Sequence, residues 1–166
     1  ANHNTAVGYH ALDANTTGTQ NTAIGALALD ANTTADSNTA VGYSSLSANT
    51  SGTRNAAFGD AALVVNTTGN DNASLGGFSL SANTTGSQNT GCGAYALNKN
   101  TTANNNTAVG YLALFENTTG SKNVAIGSFA LDANTTAHSN IAIGHQSLSA
   151  NTTGSNNIGI GRDAFA

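Results

Sequence analysis

Residues 106–122 read N-T-A-V-G-Y-L-A-L-F-E-N-T-T-G-S-K, and residues 123–127 begin the pattern again with N-V-A-I-G. The same frame runs in both directions. Asn stands at 4, 21, 38, 55, 72, 89, 106, 123, 140 and 157, each step being 17 residues without an insertion. A fixed internal period decides architecture before local propensity is consulted. Stacked coils place equivalent residues in ladders about 4.8 Å apart, so an inserted residue would have to loop out. Residues 1–166 are therefore expected to form one array of ten 17-residue coils, an all-β parallel solenoid.

Counted from that Asn, the third position is always small, from Ala6 through Ser74 and Gly91 to Gly159. The fourth is apolar, as in Val7, Ile24, Phe58, Cys92 and Ile160, and the fifth is Gly in all ten units. The ninth is Leu in nine units and Phe165 in the last. Alternation along an extended N-T-A-V-G segment puts the second and fourth positions on one face, and their apolar character predicts that this face points inward. The A-L-x-A segment predicts a second extended piece, being too short for a stable helix. Asn-Thr-Thr-Gly predicts a turn, with Asn bonding its own backbone and Gly taking a left-handed conformation. The twelfth-position amides, Asn15, Asn32, Asn49, Asn66, Asn83, Asn100, Asn117, Asn134 and Asn151, are expected to form one ladder, and the first-position amides a second. The small third row implies close approach of another backbone, either the opposite wall of the coil or a neighbouring chain.

Composition narrows the function classes. Charged residues make up 7% of the chain and the net charge is −4, with no basic stretch, so nucleic acid is not an expected partner. No apolar run is long enough to predict membrane insertion, and no signal-peptide pattern is present. Each coil offers few large apolar side chains against the cost of ordering 17 residues, which predicts a homo-oligomer. The array begins and ends inside a unit without visible polar caps, which predicts a segment of a longer chain or a subunit stacking end to end.

Chemistry-bearing residues are scattered through the unit. His3, His10, His138 and His145 occupy four different positions and predict no metal or catalytic cluster. Cys92 replaces Val or Ile at a position expected to be inward, which predicts a buried, inert thiol. Asp13, Asp30 and Asp132 share the tenth position, but the other units lack a carboxylate there, so a calcium ladder is not expected. Asn-Thr-Thr is formally an N-glycosylation sequon, although a ladder role for its Asn is the stronger expectation. An enzyme acting on polysaccharide would need paired carboxylates. The eight acids make no such pair, and no catalytic residue or cofactor is predicted. Tyr9, Tyr43 and Tyr111, with Phe78, Tyr95, Phe115 and Phe129 nearby in the unit, are the candidates for an exposed glycan or host-receptor surface; packing between chains is the alternative.

The unit N-T-A-V-G-Y-x-A-L-x-x-N-T-T-G resembles repeats of long phage tail fibres and bacterial surface proteins. Its core at Asn123-Val124-Ala125-Ile126-Gly127 and Asn140-Ile141-Ala142-Ile143-Gly144 is also similar to the S-V-A-I-G repeats of YadA-like heads in trimeric autotransporter adhesins. The resemblance implies a left-handed β-roll, three chains around a common axis, and attachment at a cell surface or virion tail. A monomeric three-sided β-helix is the alternative architecture. Ice binding through stacked Thr at the thirteenth and fourteenth positions is the alternative function, although adjacent Thr in a turn suit a flat ice surface poorly.

Overall fold

The computed structural model describes residues 2–166 and shows an all-β parallel solenoid. Ten three-residue strands fill positions two to four of successive units: β1 (Thr5–Val7), β2 (Thr22–Ile24), β3 (Thr39–Val41), β4 (Ala56–Phe58), β5 (Ala73–Leu75), β6 (Thr90–Cys92), β7 (Thr107–Val109), β8 (Val124–Ile126), β9 (Ile141–Ile143) and β10 (Ile158–Ile160). They pair in chain order into one parallel sheet whose register is that of the repeat: Ala6 beside Ala23, Ala40 beside Ala57, Ala125 beside Ala142.

Little of each coil is strand, yet its whole perimeter is tied to its neighbours. The Thr5 amide donates to the Asn21 carbonyl at 2.9 Å, Gly25 to Val7 at 2.8 Å, Leu27 to Tyr9 at 2.9 Å, Leu12 to Ala28 at 3.0 Å and Thr16 to Thr33 at 2.9 Å. Stacking thus satisfies backbone groups that a thin interior could not.

The strand faces are opposite to the sequence expectation. The small third row points inward: Ala23, Ala40, Ala57, Ala108, Ala125 and Ala142 have no exposed surface. The apolar fourth row points outward, with Val7 58%, Ile24 41%, Ile126 39% and Ile160 67% exposed. Width is the reason. A Cβ added at Gly91 would meet Ser79 Oγ and lie 3.2 Å from the Ala96 carbonyl, both across the coil at eighth positions. The Ser45 hydroxyl bridges the same gap, donating to the Ala57 carbonyl at 3.0 Å. A methyl fits there and an isoleucine does not, so the small row answers to the opposite wall. The larger side chains are left outside. The core of each inner coil is one leucine, such as Leu63 or Leu114, between small residues at positions three and eight.

Two further expectations are corrected. The A-L-x-A segment is a turn and not a strand, because positions seven and nine are left-handed: Leu29 has φ 51° and Phe78 has φ 57°. The glycine of Asn-Thr-Thr-Gly has no positive φ; the left-handed residue of that loop is the seventeenth, as in Arg54 at 57° and Lys122 at 62°. The fifth-position glycines do require glycine. Gly59 has φ 135°, and a Cβ on it would lie 2.6 Å from the Gly76 carbonyl carbon of the next coil.

Candidate interaction surfaces

Two amide rows occupy the inside of the turn side. Asn66 donates from Nδ2 to Asn49 Oδ1 at 3.0 Å and to the Gly69 carbonyl at 3.1 Å, while its own Oδ1 accepts from Asn83 at 2.8 Å. In the first-position row, Asn55 Nδ2 reaches the same Gly69 carbonyl at 2.8 Å, and its Oδ1 accepts the Asn72 backbone N–H at 3.0 Å. One carbonyl of position fifteen therefore takes a bond from each row. Ala35, Ala103 and Ala137 put a methyl at this position, and their twelfth-row bonds are 3.2, 3.2 and 3.3 Å. The nine twelfth-position Asn all join this row, and those from Asn32 to Asn134 are buried, so they are structural and offer nothing to a partner.

A third ladder has no counterpart in the expectations from sequence. Position sixteen carries an acceptor in every unit: Asn2, Thr19, Asp36, Thr53, Asn70, Ser87, Asn104, Ser121, His138 and Ser155. Its side chains take up backbone N–H groups of the preceding coil, as in Thr53 to Asn70 Oδ1 at 2.8 Å, Ser87 to Asn104 Oδ1 at 2.7 Å and Ser121 to His138 Nδ1 at 2.9 Å. The shared signal was acceptor chemistry and not residue identity.

The outer face of the sheet is the first surface open to a partner. Its fourth row is Val7, Ile24, Val41, Phe58, Leu75, Cys92, Val109, Ile126, Ile143 and Ile160, and its second row runs from Thr through Ala to Val and Ile. Cys92 lies on this face, half-buried between Leu75 and Val109, and not in the core as its neighbours in sequence suggested. The expectation failed together with the assignment of the face.

The aromatic residues make the second surface. Tyr9 is 72% exposed, with its ring edge-on to that of His10, and Tyr43 is 58% exposed. Tyr111 belongs to a run of rings from five successive coils: Phe78 stacks on Tyr95 at 5.3 Å, Tyr95 meets Tyr111 at 6.4 Å, Tyr111 meets Phe129 at 5.5 Å, and Phe129 meets His145 at 6.0 Å. Phe115 stands apart under Lys99, whose Nζ is 5.1 Å from the ring and bound to Glu116. Unit position alone does not predict this run, because the contacts depend on sixth and seventh positions meeting across coils.

No family model, curated protein or solved structure matches the chain. The ionisable groups do not converge. Among the described residues no three His, Cys, Asp or Glu side chains are grouped as metal ligands, and there is no pocket. No helix among them is long and apolar enough to cross a membrane. Three of the pairs present tie neighbouring coils, Lys99 with Glu116, His145 with Asp163, and Arg54 with Asp71, where the guanidinium hydrogen bond holds the Asp71 carboxyl below its ordinary range. Asp132 is shifted upward: burial raises its pKa against the pull of two backbone hydrogen bonds, and the Glu116 charge adds to the rise. The Oδ1 atoms of Asp30 and Asp132 are buried without a partner.

Proposed function

We propose that this chain is the shaft of a non-enzymatic extracellular rod, a structural and adhesive fibre in which copies of the solenoid, three being favoured, pack through the outer face of the sheet. The observation that carries the reading is the outward fourth row, an unbroken apolar stripe over all ten strands. Such a stripe on a soluble surface marks an interface.

Area supports more than two chains. Three residues by ten strands cover about 10 Å by 43 Å, roughly half of the ~800 Å² per partner of a standard interface. A two-chain sandwich would be small. In a closed three-chain rod each copy meets two neighbours and brings flanking rows into contact, in keeping with the resemblance to adhesin heads. Trapping disulfides tests the arrangement. Ile24→Cys in a Cys92→Ala background should cross-link to its own equivalent under mild oxidation, because parallel copies in register bring the second coils together. Failure of that variant and of the native Cys92 to cross-link would count against the assembly.

Ice binding keeps one supporting observation, since Thr17, Thr34, Thr68, Thr85, Thr102, Thr119, Thr136 and Thr153 are all exposed. The adjacent thirteenth-position hydroxyls are turned to the backbone, as in Thr67 Oγ1 to the Thr84 carbonyl at 3.1 Å, which leaves a single row. Absence of thermal hysteresis at micromolar concentration would dispose of it.

A further inference from the structure

The ring run from Phe78 to His145 is not something the solenoid needs. In other coils the same sixth and seventh positions hold Ala26 and Leu27, or Asp60 and Ala61, with the backbone unchanged. Three of the rings also sit where a bulky side chain is disfavoured: Phe78, Tyr95 and Phe129 have φ of 57°, 59° and 59°. The rings remain half in water, with Phe78 38%, Tyr95 37% and Tyr111 47% exposed.

We propose that this strip binds a neutral, linear polysaccharide lying along the solenoid axis, which names the ligand class of the adhesive reading above but does not rest on the number of chains. The chemistry of the strip excludes the other common occupants. A small molecule held by enclosure needs a cavity, and none is present among the described residues. An extended peptide adding as a strand needs free backbone groups. Here the backbone is already laddered: Phe78 donates to Asp60 at 2.8 Å, Tyr95 to Gly77 at 3.1 Å and Phe129 to Tyr111 at 3.0 Å. A polyanion needs cations, whereas none of the five side chains is Lys or Arg, and Lys99 is engaged by Glu116. What remains is a row of half-exposed rings, stacked at Phe78–Tyr95 and then turned by 85°, 87° and 74° from one ring to the next, with phenol and imidazole edges, long in one direction only. Sugar rings offer the complement, an apolar C–H face for the aromatic surface and hydroxyls for the phenols. Successive coils repeat about every 4.8 Å, so five coils span roughly 19 Å, room for several sugar units in line.

Electrophoresis of the whole chain through native gels containing hydroxyethylcellulose, laminarin, dextran or galactomannan tests this. At least one of these neutral polymers should retard the protein. Tyr95→Leu and Tyr111→Ala should each weaken the retardation about tenfold, and Thr119→Ala, in the exposed turn outside the aromatic surface, should leave it unchanged. Both substitutions install residues that the same positions carry in other coils, as Leu27 and Ala26, so folding should survive; thermal melting checks this. Absence of retardation by all four polymers would overturn the proposal, as would retardation indifferent to both substitutions. Sedimentation of each variant separates the two readings. If Tyr95→Leu or Tyr111→Ala dissociates the assembly, the strip is a contact between chains and the glycan proposal falls. If the wild-type chain is a monomer yet binds through these tyrosines, the rod fails and the strip stands.

Discussion

Three non-glycine rows, at positions seven, nine and seventeen, are left-handed along the length of the array. Each such residue costs roughly 1–2 kcal/mol. At position nine the cost is offset by burial of a leucine, worth about 1.5–3 kcal/mol. Gln88 has φ 60° and an exposed side chain, so it has no such compensation. Gln88→Gly should therefore raise the melting temperature, by about 0.5–1 kcal/mol of stability after glycine's own entropy cost; a lower temperature would contradict the backbone assignment. Gly59→Ala should act the other way, losing about 3 kcal/mol or more to strain and to collision with Gly76. Asp132 supplies the pH dependence. Its folded pKa is raised, so the folded state holds the proton more tightly, and this contribution is present at low pH and lost as pH rises through the folded pKa. Asp132→Asn should stabilise the chain at neutral pH by under about 1 kcal/mol, since the group is partly in water, and the gain should shrink as pH falls. Neither the left-handed rows nor the orphaned Asp132 oxygen could be read from residue types, because leucine and aspartate advertise no such environment.

A coil is the natural element, and it is held more by polar ladders than by its core. Asn66→Ala should cost about 2–3 kcal/mol, because it leaves Asn49 Oδ1 buried without its donor. Asn66→Asp should cost more, placing a carboxylate where Asn49 Oδ1 needs a donor; thermal melting of the pair checks both the size and the order. The same burial bears on the Asn-Thr-Thr sequons. A glycan attached to Asn66 or Asn83 during synthesis cannot be housed, so the chain expressed through an N-glycosylating secretory route should misfold when those sites are occupied and fold when transfer is blocked. The ladders were legible in the sequence because amides at a fixed 17-residue spacing have few other uses. The strand faces were not. Alternation separates Thr5 and Val7 from Ala6 but leaves open which side is inside, and the usual preference for larger apolar residues in the core misleads when the coil admits only a methyl.

At the scale of the whole molecule, the outward fourth row is what joins the fold to the proposed function. Were Ile24, Val109 and Ile126 inside, the chain would hide its apolar surface and have little reason to associate. With them outside, a one-leucine core is paired with an apolar outer stripe, and the proposed assembly supplies the burial that the coil lacks. The period legible in the sequence could not show this, because a repeat reports stacking along the axis and says nothing about contacts across it. Ile126→Lys should accordingly drive the assembly toward single chains, while the exposed turn substitution Thr119→Lys should not, as read by size-exclusion chromatography. Sedimentation equilibrium of the wild-type chain tests the central claim most directly. The predicted result is a species of three times the 16.4 kDa chain mass, persisting on dilution. A folded species of 16.4 kDa at every concentration would contradict it.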